Sequence, residues 1–170
     1  MKISKLSELL RHLKYGEGYN GYRVLFKDLQ IEKSEVKELI AFDSSNYTRN
    51  LIERTGSYEL MLMCWKEGQS SPIHGYSGQQ GWIYVIEGKL SIDYYVERDS
   101  DHRMDHFRTE SFKAGEFAYL NDYVGFHSVK NTSRENAISL HLHAGPVLKW
   151  KVFDPADGSY SDRTLVDQED

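Results

Sequence analysis

The stretch at residues 115–127 reads GEFAYLNDYVGFH and places two short apolar segments on either side of a polar turn. Residues 116–120 and 126–129 are rich in the aromatic and β-branched side chains that favour strands. Gly125 allows the chain to turn at the start of the second segment. The stretch therefore predicts two strands, with His127 on the second.

The same pattern of short strand-like segments and turns fills the chain after residue 46. The further predicted strands are residues 47–53, 58–65, 81–86, 90–96, 107–112, 138–143, 149–153 and 160–166. A polar loop at residues 98–105 separates two of them. Many short strands at regular spacing predict an all-β sandwich or barrel.

The first third of the chain has a helical pattern. Four leucines recur with the spacing of one helix face: Leu6, Leu9, Leu10 and Leu13. A second helix is indicated after Ser34. Such short helices need a partner surface, so we expect one domain over residues 1–170. In it, residues 1–45 form a mostly helical N-terminal cap and residues 46–170 form the β-barrel.

Composition excludes several functional classes. The 170 residues are 39% hydrophobic and 28% charged, with a formal charge of −5. The chain has no block of Lys and Arg, which argues against a nucleic-acid partner. It has neither an apolar run of about 18 residues nor a signal-peptide core, which argues against a membrane partner. A single cysteine, Cys64, excludes an internal disulfide framework and favours a cytoplasmic location. The oligomeric state stays open.

Two of the seven histidines occur in similar glycine-containing surroundings. His74 follows Gly68 by six positions, and His127 follows Gly125 by two. A lone histidine in a strand is usually a packed core residue. Imidazoles from two distant strands, however, can converge inside a barrel and build a metal site without cysteine. The pattern therefore predicts that His74 and His127 share one metal ion.

Several separated motifs agree with one known family. They are YTRNL at 47–51, CWKEG at 64–68, SPIH at 71–74, YLND at 119–122, GFH at 125–127 and SLHL at 139–142. Together they resemble the cysteine dioxygenase (type I) family of the cupin superfamily, over roughly residues 20 to 155. The resemblance implies a cupin fold, which is a double-stranded β-helix or jelly-roll barrel, with short N-terminal helices. It also implies an Fe²⁺ ion held by three histidines.

The resemblance implies roles for individual residues. His74 and His127 match two of the three metal ligands. Arg49 matches the arginine that binds the substrate carboxylate, a task that suits the two-pronged guanidinium. Tyr47 matches a tyrosine that supports this arginine. The implied reaction adds both atoms of O2 to a carboxylate-bearing thiol such as L-cysteine and gives the sulfinate.

The sequence also departs from the family pattern. Ser139 and His141 match the first two members of a Ser-His-Tyr relay, but the third is His143. The remaining ligand position, a histidine in the family, is Tyr76. Gly81 stands where some members have a cysteine that cross-links to the relay tyrosine, so that link cannot form. We expect a site with one altered ligand position, in which Tyr76 or His143 is the third ligand.

The altered site leaves more than one function open. The four candidate catalytic residues are Tyr76, Ser139, His141 and His143. A phenolate ligand from Tyr76 would favour ferric iron or zinc over ferrous iron, so Zn or another divalent metal is the alternative to Fe. The first hypothesis is a thiol dioxygenase of the cysteine dioxygenase type. The alternatives are a diverged metal-cupin enzyme of other specificity and a non-catalytic cupin that binds a small ligand.

Overall fold

The computed structural model places helices before strands along the chain. It describes residues 2–15, 19–75, 78–121, 123, 125–147 and 149–164. Tyr76, predicted as a ligand and a catalytic residue, lies outside the described residues, as does the end of the last predicted strand at residues 165 and 166.

The N-terminal helices agree in part with the sequence pattern. Helix α1 (Leu6–Tyr15) carries the predicted leucine face, and the second predicted helix is a short 3-10 helix (Lys33–Leu39). Helix α2 (Tyr19–Asp28) was not predicted. In the described part of the chain, every helix is too short or too polar to cross a membrane.

Two antiparallel sheets follow, with their strands numbered in chain order. The first contains β1 (Thr48–Arg54), β2 (Tyr58–Trp65), β9 (Ala137–Ala144), β4 (Gln80–Glu87) and β7 (Phe117–Asn121), in that spatial order. The second contains β11 (Ser159–Thr164), β10 (Lys149–Asp154), β3 (Ile73–Gly75), β8 (Phe126–Lys130), β5 (Lys89–Glu97) and β6 (Met104–Lys113). Strand β3, which is only three residues long, was not predicted. The expected all-β cupin fold with short N-terminal helices is confirmed.

The helices cover the outer face of the first sheet. Tyr22 and Phe26 of α2 pack on Trp82 of β4, with ring centroids 5.5 and 6.3 Å apart. Leu60 and Leu62 of β2 belong to the same buried cluster, together with the leucines of α1. Because successive side chains of a strand point to opposite faces, the alternate residues of this sheet point away from the helices, into the barrel.

The barrel interior is mainly apolar. One buried cluster contains side chains from both sheets, including Met63, Trp65, Val129, Trp150 and Val152. A few polar side chains share this interior face by strand alternation. They are Arg49 of β1, Glu59 of β2, and Ser139, His141 and His143 of β9, all buried. The fold thereby gathers an unusual density of ionisable groups inside an apolar wall.

Candidate metal and substrate site

His74 and His127 meet inside the barrel. They lie directly opposite each other where β3 pairs with β8. Their ring centroids are 4.3 Å apart, and both side chains are buried. The structure thus brings together two imidazoles that are 53 positions apart in the sequence, and their role as metal ligands stays a prediction.

The two rings are kept neutral. Burial, and then the proximity of His127, lowers the pKa of His74 well below its usual value. Burial, with a smaller contribution from His143, lowers the pKa of His127 to about 3. The Nδ1 atom of His74 donates a hydrogen bond to the carbonyl oxygen of Pro72 at 2.8 Å, which leaves the lone pair on Nε2. Neutral imidazoles of this kind are the usual nitrogen ligands of iron and zinc.

A small cavity adjoins His74. Its lining comprises Tyr47, Arg49, Met61, Met63, Trp65, Ser71, His74, Val129, His141, His143 and Trp150. The space open to the centre of a water molecule is about 20 Å³. This is enough for about one water molecule. Five of the predicted site residues thus share one cavity wall, and two more, His127 and Ser139, contact members of that wall.

Arg49 brings a guanidinium into this apolar cavity. It is only 8% exposed, and its Nη2 lies 2.8 Å from the Sδ atom of Met61 and 3.8 Å from Oε1 of Glu59. Tyr47 stacks on Trp65 with ring centroids 4.5 Å apart, and burial raises the pKa of the Tyr47 phenol. A thioether is a weak hydrogen-bond acceptor. The guanidinium therefore faces a partner that a carboxylate could outcompete.

His141 is held through its Nε2 atom. The indole Nε1 of Trp65 lies 3.0 Å from Ser139 Oγ, which in turn lies 2.9 Å from His141 Nε2. An indole N–H can only donate, so the Ser139 hydroxyl accepts from Trp65. With a second lone pair and one hydrogen, the hydroxyl can pair with His141 Nε2 in either direction. This chain of hydrogen bonds holds the His141 ring in place through Nε2. Burial, and then His143, lowers the pKa of His141 well below its usual value.

His143 is held through the opposite nitrogen. Its Nδ1 lies 2.8 Å from Oε1 of Glu59, the residue directly across the β2–β9 ladder. The other carboxylate oxygen of Glu59 accepts from Nε and Nη2 of Arg54 at 3.0 and 2.9 Å. Glu59 was not among the predicted site residues. The signal for it was a single acidic residue within the otherwise apolar run of residues 58–65.

The Glu59–His143 pair consists of an anion and a neutral ring. Burial opposes ionisation of Glu59, but the hydrogen bond from His143, and then the effects of Arg54 and Arg49, outweigh it and lower the pKa of the carboxyl. Burial lowers the pKa of His143 against the opposing effect of Glu59. The ring therefore donates from Nδ1 to the carboxylate, and its lone pair is on Nε2.

The donor set suits a metal ion in its chemistry. His74 and His143 both carry their lone pair on Nε2. His127 is also neutral, and its ring lies next to that of His74. In the part of the chain that the structure describes, no three side chains of His, Cys, Asp or Glu already stand in position around one point that could hold a metal. Two imidazoles are therefore assembled, and a third donor must come from a side-chain movement or from residue 76.

Comparison with known sequences agrees with this geometry. The sequence model of the family described as cysteine dioxygenase type I matches residues 20–156. Cysteine dioxygenase type 1 of Rattus norvegicus is 32% identical over 169 residues, covering 96% of this chain and 84% of the relative. The Homo sapiens protein of the same name is 29% identical over the same length and coverage, and the Danio rerio protein is 30% identical over 141 residues, covering 81% of this chain and 70% of the relative.

Solved structures support the fold. A protein of Thermus thermophilus aligns with a TM-score of 0.53 at 19% identity, covering 65% of this chain and 93% of that one. A Klebsiella pneumoniae protein with a double-stranded β-helix domain aligns with a TM-score of 0.51 at 20% identity, covering 65% and 81%. At this level of identity the two likenesses show the fold alone. Taken with the family match over most of the sequence, they lead to one conclusion: the chain belongs to the cysteine dioxygenase type I family of thiol-oxidising enzymes in the cupin superfamily.

Proposed function

We propose that this protein oxidises L-cysteine, or a closely related carboxylate-bearing thiol, to its sulfinate with O2. Its family consists of non-haem iron enzymes, and membership makes the chain a thiol dioxygenase-like oxidoreductase. The observation that carries the choice of substrate is the buried Arg49, which lines one small cavity with His74 and His143. A buried guanidinium beside neutral imidazoles suits an anionic ligand.

The charges around the cavity support a carboxylate at Arg49. Two guanidiniums, Arg49 and Arg54, flank the single carboxylate of Glu59, and Arg54 binds it at the shorter distances. These three side chains together therefore carry a net positive charge. A substrate carboxylate would displace the thioether of Met61 from Arg49 and accept charge-assisted hydrogen bonds in its place.

We propose that His74 and His127 hold Fe²⁺, with His143 or Tyr76 as the third protein ligand; Zn²⁺ or another divalent ion is the alternative. Bound iron supplies the redox chemistry that joins the thiol to O2. The protein residues contribute the surroundings: Arg49 and Tyr47 orient the substrate, and the apolar wall excludes water. Ser139 holds the His141 ring in the cavity wall, where an imidazole can take up or give a proton.

Oxygen uptake by iron-loaded protein, with the product identified by mass spectrometry, tests the proposal. We expect uptake with L-cysteine and a product heavier by two oxygen atoms. Cysteamine, which lacks the carboxylate, should be a poor substrate, whereas 3-mercaptopropionate, which keeps it, should be accepted. The variant His74→Ala should abolish uptake. The matched control His102→Ala, on an exposed residue that pairs with Glu97, should leave it unchanged.

Two outcomes would contradict this function. Iron-loaded protein that consumes no O2 with any of the three thiols is not a thiol dioxygenase. Cysteamine turnover equal to that of L-cysteine would remove the proposed role of Arg49.

The Glu59–His143 pair favours a second candidate, a metal-cupin enzyme whose substrate preference has diverged. His143 stands at the position of the relay tyrosine that the family resemblance implies, and Glu59 pairs with it. Under this candidate, the combined change Tyr76→His and His143→Tyr should raise L-cysteine oxidation above that of the natural chain. Under the first proposal the combined change should lower it.

A further inference from the structure

We propose that Arg163 is a substrate-recognition residue at the entrance of the cavity, where its guanidinium attracts anionic thiols and guides them toward Arg49. The inference rests on the proposed function and adds to it in two ways. The entrance lies between two edge strands, β1 and β11, and the substrate carboxylate has a first contact there before it reaches the interior.

The first step is the position of Arg163 on its sheet. Arg163 lies on β11, directly opposite Trp150 of β10. Side chains of directly opposed residues project from the same face of a sheet. Trp150 lines the cavity and packs on His74 in a T-shaped arrangement, with ring centroids 4.1 Å apart. Arg163 therefore projects from the face of the second sheet that carries the cavity wall.

The second step is the open side of the barrel. Strands β1 and β11 are edge strands of the first and the second sheet. Tyr47, which directly precedes β1, lines the cavity and is half-buried. Burial raises the pKa of the Tyr47 phenol, and the charges of Arg49 and then Arg163 oppose this rise. Arg163 at the edge of one sheet therefore lies near Tyr47 at the edge of the other, where the cavity approaches the surface.

The third step is the charge of Arg163. Its side chain is exposed, and no carboxylate in the described part of the chain forms an ion pair with it. The neighbouring Asp162 projects from the opposite face, where it lies across from Lys151. Arg49 supplies a second guanidinium inside the cavity. An anion thus meets one cation at the entrance and another within, and cations that line an opening raise the rate at which anions enter it.

Stopped-flow tryptophan fluorescence tests the inference, because Trp65 and Trp150 line the cavity and respond to its occupation. The full-length protein is mixed with 3-mercaptopropionate under nitrogen, so that no turnover occurs. At an ionic strength of about 0.01 M, where charges act over about 30 Å, Arg163→Gln should lower the association rate constant by about 3- to 10-fold. At about 1 M salt, where this range shrinks to about 3 Å, the difference from wild type should disappear. The dissociation rate constant should stay unchanged, because Arg49 and not Arg163 holds the bound carboxylate.

Two matched variants distinguish an effect of charge from an effect of structure. Arg163→Lys keeps the positive charge and should keep the wild-type association rate constant. Arg23→Gln removes the same charge from an exposed position on α2, the helix that covers the outer face of the first sheet, and should hardly change that constant.

The outcomes separate the inference from the function on which it rests. Equal association rate constants for Arg163→Gln and Arg23→Gln, or a slow Arg163→Lys variant, would overturn the inference while the proposed function stands. Wild-type protein that binds no 3-mercaptopropionate would overturn the role of Arg49 and the inference together. Oxygen uptake with L-cysteine measures the proposed function independently of both.

Discussion

At the scale of single residues, two imidazoles of one strand line the same cavity but are held through opposite ring nitrogens. His141 is held by a hydroxyl at Nε2 and His143 by a carboxylate at Nδ1. The two residues are chemically identical in the sequence, and their partners alone distinguish them. The carboxylate holds the proton of His143 on Nδ1, whereas the hydroxyl can pair with either tautomer of His141.

Arg49→Lys should raise the KM for L-cysteine by about 10- to 100-fold while the Co²⁺ affinity stays unchanged, because an ammonium cannot reproduce the two-pronged contact with a carboxylate. Steady-state O2 uptake over a range of cysteine concentrations measures the KM. Cysteamine, without a carboxylate, provides the internal control, since its turnover should hardly change. A lysine variant with wild-type KM would show that the substrate carboxylate binds elsewhere.

Glu59→Ala should destabilise the protein by about 3 kcal/mol, because it leaves the buried Arg49 and the partly buried Arg54 without their common anion. Urea denaturation at neutral pH measures this difference. The control is Glu97→Ala, which breaks an exposed pair with His102 and should change the free energy of unfolding far less. Equal effects of the two substitutions would mean that the Glu59 carboxylate is not an important stabilising partner.

The sequence predicted much of the site at this scale. Five predicted residues, Tyr47, Arg49, His74, His141 and His143, line the same cavity. Glu59 escaped prediction because its partner lies 84 positions away, and only the register of β2 against β9 brings them together. Long-range pairing of this kind depends on which strands become neighbours, which local patterns do not encode.

At the scale of elements, the short strand β8 positions His127, and its approach to β5 depends on a glycine. Gly125 immediately precedes β8 and has a φ of +114°. A Cβ atom at this position would lie 2.2 Å from the carbonyl oxygen of Tyr95. Tyr95 pairs with Phe126, and Tyr94 with His127. Any residue other than glycine must therefore push β8 away from β5.

Gly125→Ala should lower the free energy of unfolding by about 3 kcal/mol, because the backbone conformation and the clash both oppose a side chain. It should also weaken Co²⁺ binding, because the displaced strand carries His127. Gly56→Ala is the control, since a Cβ there meets no atom within 4 Å. A Gly125→Ala variant as stable as the Gly56→Ala variant would show that β8 adapts to the added methyl group.

Elements with a clear alternation or helical period were predictable, and those defined by tertiary contacts were not. Each of the ten predicted strands has a counterpart among the described residues, and most of them have an apolar pattern of their own; the polar β11 lies beside β10 after a turn. Helix α2 was missed because it contains Gly21 and has a weak helical period of apolar residues. Tyr22 and Phe26 stabilise it by packing on Trp82. Strand β3 has three residues, too few for any periodicity.

At the scale of the whole molecule, four neutral histidines are buried within one barrel. His74, His127, His141 and His143 all have a pKa below the ordinary value of 6.5, with burial as the largest cause. When the chain unfolds, each ring regains its ordinary basicity. Below pH 6.5 the unfolded chain therefore binds more protons than the folded one, so the folded state loses stability as the pH falls.

Metal-free protein should therefore lose stability between about pH 6.5 and about pH 5, at up to about 1.4 kcal/mol per pH unit for each buried imidazole. For His127 the loss should continue until the pH reaches its folded-state pKa of about 3. Urea denaturation in the presence of a chelator measures the slope. His127→Gln should reduce the slope of unfolding free energy against pH by the contribution of about one proton. The exposed-site control His102→Gln should leave the slope unchanged. A slope of zero over this range would contradict the neutral, buried state of the rings.

The thioether lining of the cavity has a mechanical consequence. Met61 and Met63 form part of a wall around a space for about one water molecule, and unbranched thioether chains deform easily. A thiol substrate is larger than this space, and the two methionine side chains can change rotamer to enlarge it. The largest thiol that the cavity accepts then depends on how far the side chains of Met61 and Met63 can move, so their flexibility contributes to substrate selectivity.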